Sequence, residues 1–174
     1  MSKAKLSKTR TVPYRRKREG KTDYHKRLQL LLSDKPRIVV RKTNTKLIVQ
    51  LVRYVPAGDV VICSATPKDL QQAGWTFNCK NTPAAYLLGL ALGKKALQQK
   101  VSEAIVDLGL HAAIKGSKLY AVVKGCIDAG LQIPHDPAVF PSEDRIQGKA
   151  IAGYVKQAGQ ITTIFEHVKK KLQG

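Results

Sequence analysis

The sequence predicts an α/β fold, a three-stranded antiparallel meander followed by a parallel crossover strand, with helices packed on one face of the sheet. Two observations carry this. Three runs rich in Val and Ile lie between residues 37 and 65, separated by short turn signals, and short connections imply antiparallel neighbours. A long apolar helical segment opening at Thr82-Pro83 then separates the third run from a fourth at Glu103–Leu108, as a parallel crossover requires.

The elements follow in order. Residues 1–13 are polar and basic, too poor in apolar side chains to order themselves without a partner. Thr22 or Asp23 is placed to cap a helix carrying Leu28, Leu31 and Leu32, which ends before Pro36. His25, Lys26 and Arg27 are expected on its free face. Arg37–Thr43 and Lys46–Tyr54 form the first hairpin through Asn44-Thr45, and Asp59–Ala65 is the third strand. Pro67 to Gly74 reads as a short helix, and residues 75–81 as a loop. The helix from Thr82 to about Gln99 is apolar nearly all round in its first half and should be deeply packed. Gly89 and Gly93 on it should allow close approach to a strand. A second long helix opens at Gly116-Ser117 and runs to Leu131. A proline-rich loop follows at Ile133–Pro137. A helix from Ser142 toward Tyr154 and another over 161–172 complete the chain. This divides it into a basic arm at 1–21, an α/β body at 22–140 and a C-terminal helical extension at 141–174. The face of the sheet without helices is expected to be free for a ligand.

The charge points to a polyanion. The chain carries a formal +19, and +9 of it lies within residues 1–27. Arg15, Arg16, Lys17 and Arg18 are consecutive, flanked by Tyr14 and Tyr24 and broken at Gly20. Four adjacent like charges need a solvated surface or a dense anionic partner, and a nucleic-acid backbone is such a partner. The competing readings are a solubilising tail or a nuclear-import signal. Arg37, Arg41, Lys42, Lys46 and Arg53 extend the basic surface onto the first hairpin. Charge protecting an edge strand is the alternative there. Tyrosines beside arginines suit stacking on unpaired bases, which RNA offers more often than DNA.

Other chemistry finds little support. Gly89 to Lys95 echoes a phosphate loop, but lacks its spacing and its Ser/Thr, and lies inside a helix whose amides are already bonded. The four histidines are scattered without ligand spacing, so no metal and no cofactor are expected. His135, between two prolines, is either a loop residue or a contact with RNA or a partner protein. Asp59, Asp107 and Asp128 are the acids a metal nuclease could use, and turn and cap roles explain them more simply. Cys63, Cys79 and Cys126 are widely spaced and read as reduced thiols. No apolar run suits a membrane span, and no apolar signal core follows the basic start.

Five segments in this order carry a resemblance: Tyr14 to Tyr24 (YRRKREGKTDY), Val39 to Asn44 (VVRKTN), Asn81 to Tyr86 (NTPAAY), Gly125 to Leu131 (GCIDAGL) and Ile133-Pro-His135. Together they resemble ribosomal protein eighteen of the large subunit, the universal 5S rRNA-binding family. The resemblance covers residues 10–155 and is to the archaeal form, since eukaryotic relatives carry a much longer C-terminal extension. Gly93-Lys94-Lys95 stands where the archaeal pattern has Gly-Lys-Arg, which keeps charge but loses the planar fork of arginine. The resemblance implies a non-catalytic ribosomal protein of the cytoplasm with a ribonuclease-H-like motif. It implies binding to 5S rRNA, attachment of that RNA to the large-subunit rRNA in the central protuberance, and contact with other ribosomal proteins there. The residues expected at RNA are Tyr14, Arg15, Arg16, Lys17, Arg18, Lys21, Tyr24 and Arg27 from the arm. Arg41, Lys42 and Asn44 join them from the hairpin, and Asn81, Thr82, Lys94 and Lys95 from the long helix. The rivals are a non-specific basic RNA scaffold and a metal-dependent nuclease.

Overall fold

The computed structural model describes residues 11–155 and 159–173; the expectation for the first ten residues lies outside them. A single helical turn, α1 (Arg15–Arg18), precedes α2 (Tyr24–Leu31). Asp23 caps α2, its Oδ1 accepting from the amides of His25 at 3.0 Å and Lys26 at 3.3 Å. Three antiparallel strands follow: β1 (Arg37–Lys42), β2 (Leu47–Val55) and β3 (Gly58–Ala65). Then come α3 (Pro67–Ala73), α4 (Thr82–Gln98) and β4 (Ile105–Asp107), which pairs parallel to β1. The sheet order is β3-β2-β1-β4, so the chain leaves at one edge, crosses through α4 and returns at the other. The remaining elements are α5 (Lys118–Asp128), a 3-10 turn at Pro137–Val139, α6 (Glu143–Gln147), α7 (Lys149–Tyr154) and α8 (Ile161–Gln173).

Alternation along the strands sets the two faces. Ile38 and Val40 of β1 pair with Leu51 and Val49 of β2, and all four are fully buried under the helices. Arg37, Val39 and Arg41, one residue out of phase, belong to the opposite face. Leu87, Leu88 and Leu92 of α4 join the same core, as do Ile161, Phe165 and Val168 of α8. The expected deep packing of the first half of α4 therefore holds. At the ends of the short α3, Thr66 and Asp69 form a capping box and Gly74 takes the left-handed conformation with φ 104°.

Several expectations are corrected. Gly89 and Gly93 face α5, not a strand. A Cβ at Gly89 would lie 2.0 Å from the Val122 carbonyl oxygen, and one at Gly125 would lie 2.1 Å from that of Tyr86. The glycines thus let two helix backbones touch. The helix expected from Ser142 to Tyr154 is two helices, broken where Gly148 adopts φ 84°. The helix expected to reach Leu131 ends at Asp128. Leu28 of α2 and Leu32 at its C-terminal cap, which share its helical spacing, are 59% and 77% exposed. Arg27 turns from the free face toward the sheet, and Arg37, counted among the surface cations, is 1% exposed.

The α4–α5 contact gives the first prediction. Gly125→Ala should destabilise the fold by about 1–3 kcal/mol or more, because the added methyl meets backbone that cannot swing away. Gly153→Ala, with open space around it, should change stability little. Urea unfolding of the two variants checks the difference.

Candidate nucleic-acid interface

Residues 14–22, at the end of the arm, are held together by local hydrogen bonds. α1 ends in a tight turn in which the Lys21 amide donates to the Arg16 carbonyl at 2.9 Å, with Gly20 at φ 63°. Arg16 Nε donates to Thr22 Oγ1 at 2.8 Å. The Tyr14 and Tyr24 rings lie 5.1 Å apart. Arg15 and Lys21 both pair with Glu19, at 3.2 and 3.0 Å, but these pairs are solvated and contribute little. Lys17 and Arg18 are exposed and form no ion pair among the described residues. The turn therefore presents its cations outward while its two tyrosines brace it against α2.

Beneath α2 runs a chain of alternating charges. Arg27 makes a bidentate contact with Asp59, both bonds at 2.9 Å. Asp59 Oδ2 lies 2.8 Å from Arg37 Nη2, a pair whose N–H is not aligned for a hydrogen bond. Arg37 Nη1 donates to Asp107 at 3.1 Å, while Arg37 Nε is buried without a hydrogen-bond partner. Asp107 also accepts from Arg41 Nη2 at 3.2 Å and from the Gly109 amide at 2.8 Å. Arg41 Nη1 adds a bond to the Asp107 carbonyl at 2.9 Å. Burial pushes the Asp59 carboxyl up, but the Arg27 and Arg37 guanidinia outweigh it and hold the group below its ordinary value. The bond to Asp59 raises Arg27 in turn. Arg27 and Arg41, both expected at RNA, are thus engaged within the protein, and each keeps part of its surface exposed.

The hairpin tip meets the helix ends. Lys42 is exposed, and its amide donates to His111 Nε2 at 3.2 Å. Burial, then Lys42 and Arg41, push the His111 imidazole down, consistent with its role as an acceptor. The Asn44 carbonyl accepts from Lys80 Nζ at 2.5 Å, and the Lys80 carbonyl accepts from Lys118 Nζ at 2.9 Å. Asn81 caps α4 through Ala84 N at 2.8 Å, so its side chain serves the helix, and Thr82 follows at the first turn. Burial lowers the Lys118 ammonium, helped by Lys80 and Lys42, which marks these three lysines as a like-charge cluster. Sequence reasoning missed Lys80, Lys118 and His111. Lys80 adjoins Asn81 and was within reach; Lys118 and His111 join only through the fold.

Lys94 and Lys95 lie elsewhere, roughly 20 Å along α4 from Asn81 at 1.5 Å per residue. Lys94 donates to the Gln173 carbonyl. Lys95 pairs with Asp69 at 2.5 Å and donates to the Ser64 carbonyl at 3.0 Å. Burial raises Asp69, but Lys95 and the Thr66 cap bring it below its ordinary value. These two lysines knit α4 to its neighbours and do not gather with the arm.

The sheet face opposite α4, with α2 along one side, holds a groove of about 1140 Å³. Val39, Gln50, Val52 and Val61 supply its floor together with the paired Arg37, Arg41, Asp59 and Asp107, α2 and the preceding turn form one side, and the segments 108–113 and 134–140 the other. The three acids considered for metal chemistry are all engaged by the protein itself: Asp59 and Asp107 by arginines, Asp128 by Tyr86 Oη at 2.8 Å and Lys124 at 3.1 Å. Among the described residues no His, Cys, Asp and Glu cluster could hold a metal ion, and no helix is long and apolar enough to cross a membrane.

A basic α/β module with an outward-facing cationic turn and neutralised carboxylates belongs to the class of polyanion-binding proteins. The sequence comparisons specify which. The family model described as ribosomal large subunit proteins 60S L5 and 50S L18 matches residues 8–106 and 98–136. The large ribosomal subunit protein uL18 of Thermofilum pendens is 52% identical over 145 residues, covering 83% of this chain and 74% of that protein. The uL18 of Korarchaeum cryptofilum is 50% identical over 146 residues, covering 84% and 75%. The chain belongs to this ribosomal family, in its archaeal uL18 form. Its role is structural, in the large subunit of the cytoplasmic ribosome among rRNA and ribosomal proteins, and it is not an enzyme.

Two predictions test the charge chain. Asp107→Ala leaves the buried Arg37 without its hydrogen-bonded partner and should cost about 3–5 kcal/mol, whereas Glu19→Gln should cost under about 0.5 kcal/mol; denaturant titration separates them. Asp59 binds its proton more readily when unfolded than when folded. Its contribution is therefore complete above the ordinary carboxylate range near pH 4 and is lost as pH falls through the lower folded value. In acid titrations of stability, Asp59→Asn should show a shallower loss in that window than the parent.

Proposed function

We propose that this protein binds 5S rRNA and helps attach it to the large-subunit rRNA in the central protuberance, alongside the other ribosomal proteins that associate with 5S rRNA there. The observation that carries the reading is the cationic turn at Arg15–Arg18. It is closed by Gly20, braced by Tyr14 on Tyr24, and joined to α2, whose Arg27 reaches the body at Asp59. Phosphate groups take up such a turn along its outer face, with Arg15, Arg16, Lys17, Arg18 and Lys21 as the contacts. Tyr14 and Tyr24 are placed to stack on unpaired bases. Lys42 and Asn44 at the hairpin tip, with Asn81 and Thr82 beside them, extend the footprint to a second point on the body. Arg27 and Arg41 support the footprint from the charge chain and can reach RNA with their exposed portions. Lys94 and Lys95, bound to the protein's own carbonyls and to Asp69, contribute long-range charge.

The test is competition binding of 5S rRNA against tRNA and duplex DNA, repeated across a salt series. The expected outcome is a preference for 5S rRNA and a steep salt dependence, with affinity falling roughly 10³–10⁵-fold between 50 and 200 mM if about 6–10 phosphates are neutralised. Replacing Arg15, Arg16, Lys17 and Arg18 together with alanine should reduce the salt slope by about 3 and leave the fold intact. Equal binding to all three polyanions would instead describe a general basic scaffold.

A further inference from the structure

The groove on the open sheet face has a composition that phosphate binding does not require. Aromatic residues make up 6% of the chain, yet Tyr24, Tyr120, Phe140 and the imidazole of His135 all line this one groove. Tyr24 stands on the arm side and the other three on the opposite side. The His135 and Phe140 rings are 5.2 Å apart and tilted 47° to each other, so they form an aromatic corner, with Lys124 Nζ 5.8 Å from the centre of the Phe140 ring. His135 Nδ1 is 2.7 Å from the Ile133 carbonyl oxygen. That oxygen can only accept, so Nδ1 carries a proton, and in the neutral tautomer this leaves Nε2 as an acceptor without a hydrogen-bond partner among the described residues.

The floor between the two sides carries Val39, Val52 and Val61 beside the Gln50 amide and the mutually paired Arg37, Arg41, Asp59 and Asp107. Arg16, Lys21 and Lys26 stand on the arm side. The acids that also line the groove have intramolecular partners. Asp23 caps α2, Asp136 accepts from the Ala138 amide at 2.9 Å, and Asp59 and Asp107 are held by arginines. A volume of about 1140 Å³ is on the scale of ligand pockets and is too small for a double helix. Valines on a floor whose charges are already paired, aromatic sides and a cationic rim together match the faces of unstacked bases on a phosphate backbone.

We infer that this groove takes one or a few unpaired nucleotides of the bound RNA, stacked against the aromatic corner of His135 and Phe140, while the arm holds the adjoining phosphates. The inference rests on the reading that RNA is the partner and adds a site outside the arm and hairpin. His135 Nε2 has the polarity to accept from a ribose 2′-hydroxyl or from a base N–H.

The test uses the full chain with a short single-stranded RNA and a fully paired RNA of the same length. His135→Ala should weaken single-stranded binding roughly 5- to 100-fold, the effect of losing one stacked base, with duplex binding and the salt slope unchanged. Wild-type protein, photo-crosslinked to the same single strand carrying 4-thiouridine, should be labelled in the peptides containing Tyr120 or His135–Phe140. This second measurement does not depend on any variant folding. Equal losses for both RNAs, or labelling confined to Arg15–Arg18, would overturn the inference. An intact response of His135→Ala alongside a weakened arm variant removes the groove and leaves the 5S reading standing. A wild type that labels in the groove but does not prefer 5S rRNA removes the 5S reading and leaves the groove.

Discussion

The run of alternating charges from Arg27 through Asp59, Arg37 and Asp107 to Arg41 is the constraint on which the functional face depends. It joins four parts of the chain far apart in sequence: the helix after the arm, the two outer strands β3 and β4, and β1 between its neighbours. Its centre is a guanidinium removed from water. Such a charge is tolerable only with carboxylates in place, and the same carboxylates are costly without it. The arrangement therefore favours one placement of α2 over the sheet, and with it one placement of the cationic turn. The carboxylates so engaged serve as anchors for arginine in a protein that does no chemistry.

The protein separates two kinds of positive charge. Cations within the chain of ion pairs, and Lys95 with Asp69, hold elements together. Cations on the turn, at the hairpin tip and around Lys80 and Lys118 lack carboxylate partners of that kind or meet them only at the surface. A ribosomal protein needs both kinds: enough fixed structure to present a surface in one orientation, and enough unneutralised charge for a phosphate backbone. The excess positive charge of the sequence conceals this division, because the count treats Arg37 and Lys17 alike.

Much of the architecture was legible from local signals. The β-branched runs, the Pro67 and Pro83 helix starts and the apolar stretch from Ala84 to Leu92 each report their own environment. The caps at Asp23 and Gly74 do too. What was not legible depended on residues distant in sequence. Arg37 alternates with Ile38, as a surface cation on a half-buried strand would; only Asp59 and Asp107, brought in by β3 and β4, make it an interior group. Gly89 signals close approach but not to what, and α5 is as good a partner as a strand from sequence alone. Gly148 could have been tolerated within one helix, and the positive φ that breaks it appears only in the fold. The cationic turn was the most readable part of the candidate interface, since four adjacent cations need no tertiary information. Lys118 and His111 were the least readable, since nothing near them in sequence connects them to the hairpin.

The most direct test of this account is the affinity of Asp59→Asn for 5S rRNA, measured beside the parent at one salt concentration. The substitution removes a negative charge, so electrostatics alone would tighten binding. The account predicts weaker binding, by several-fold, because Arg27 loses its anchor and the turn loses its fixed orientation on the sheet. Binding that is unchanged or tighter would show that the charge chain does not govern the interface.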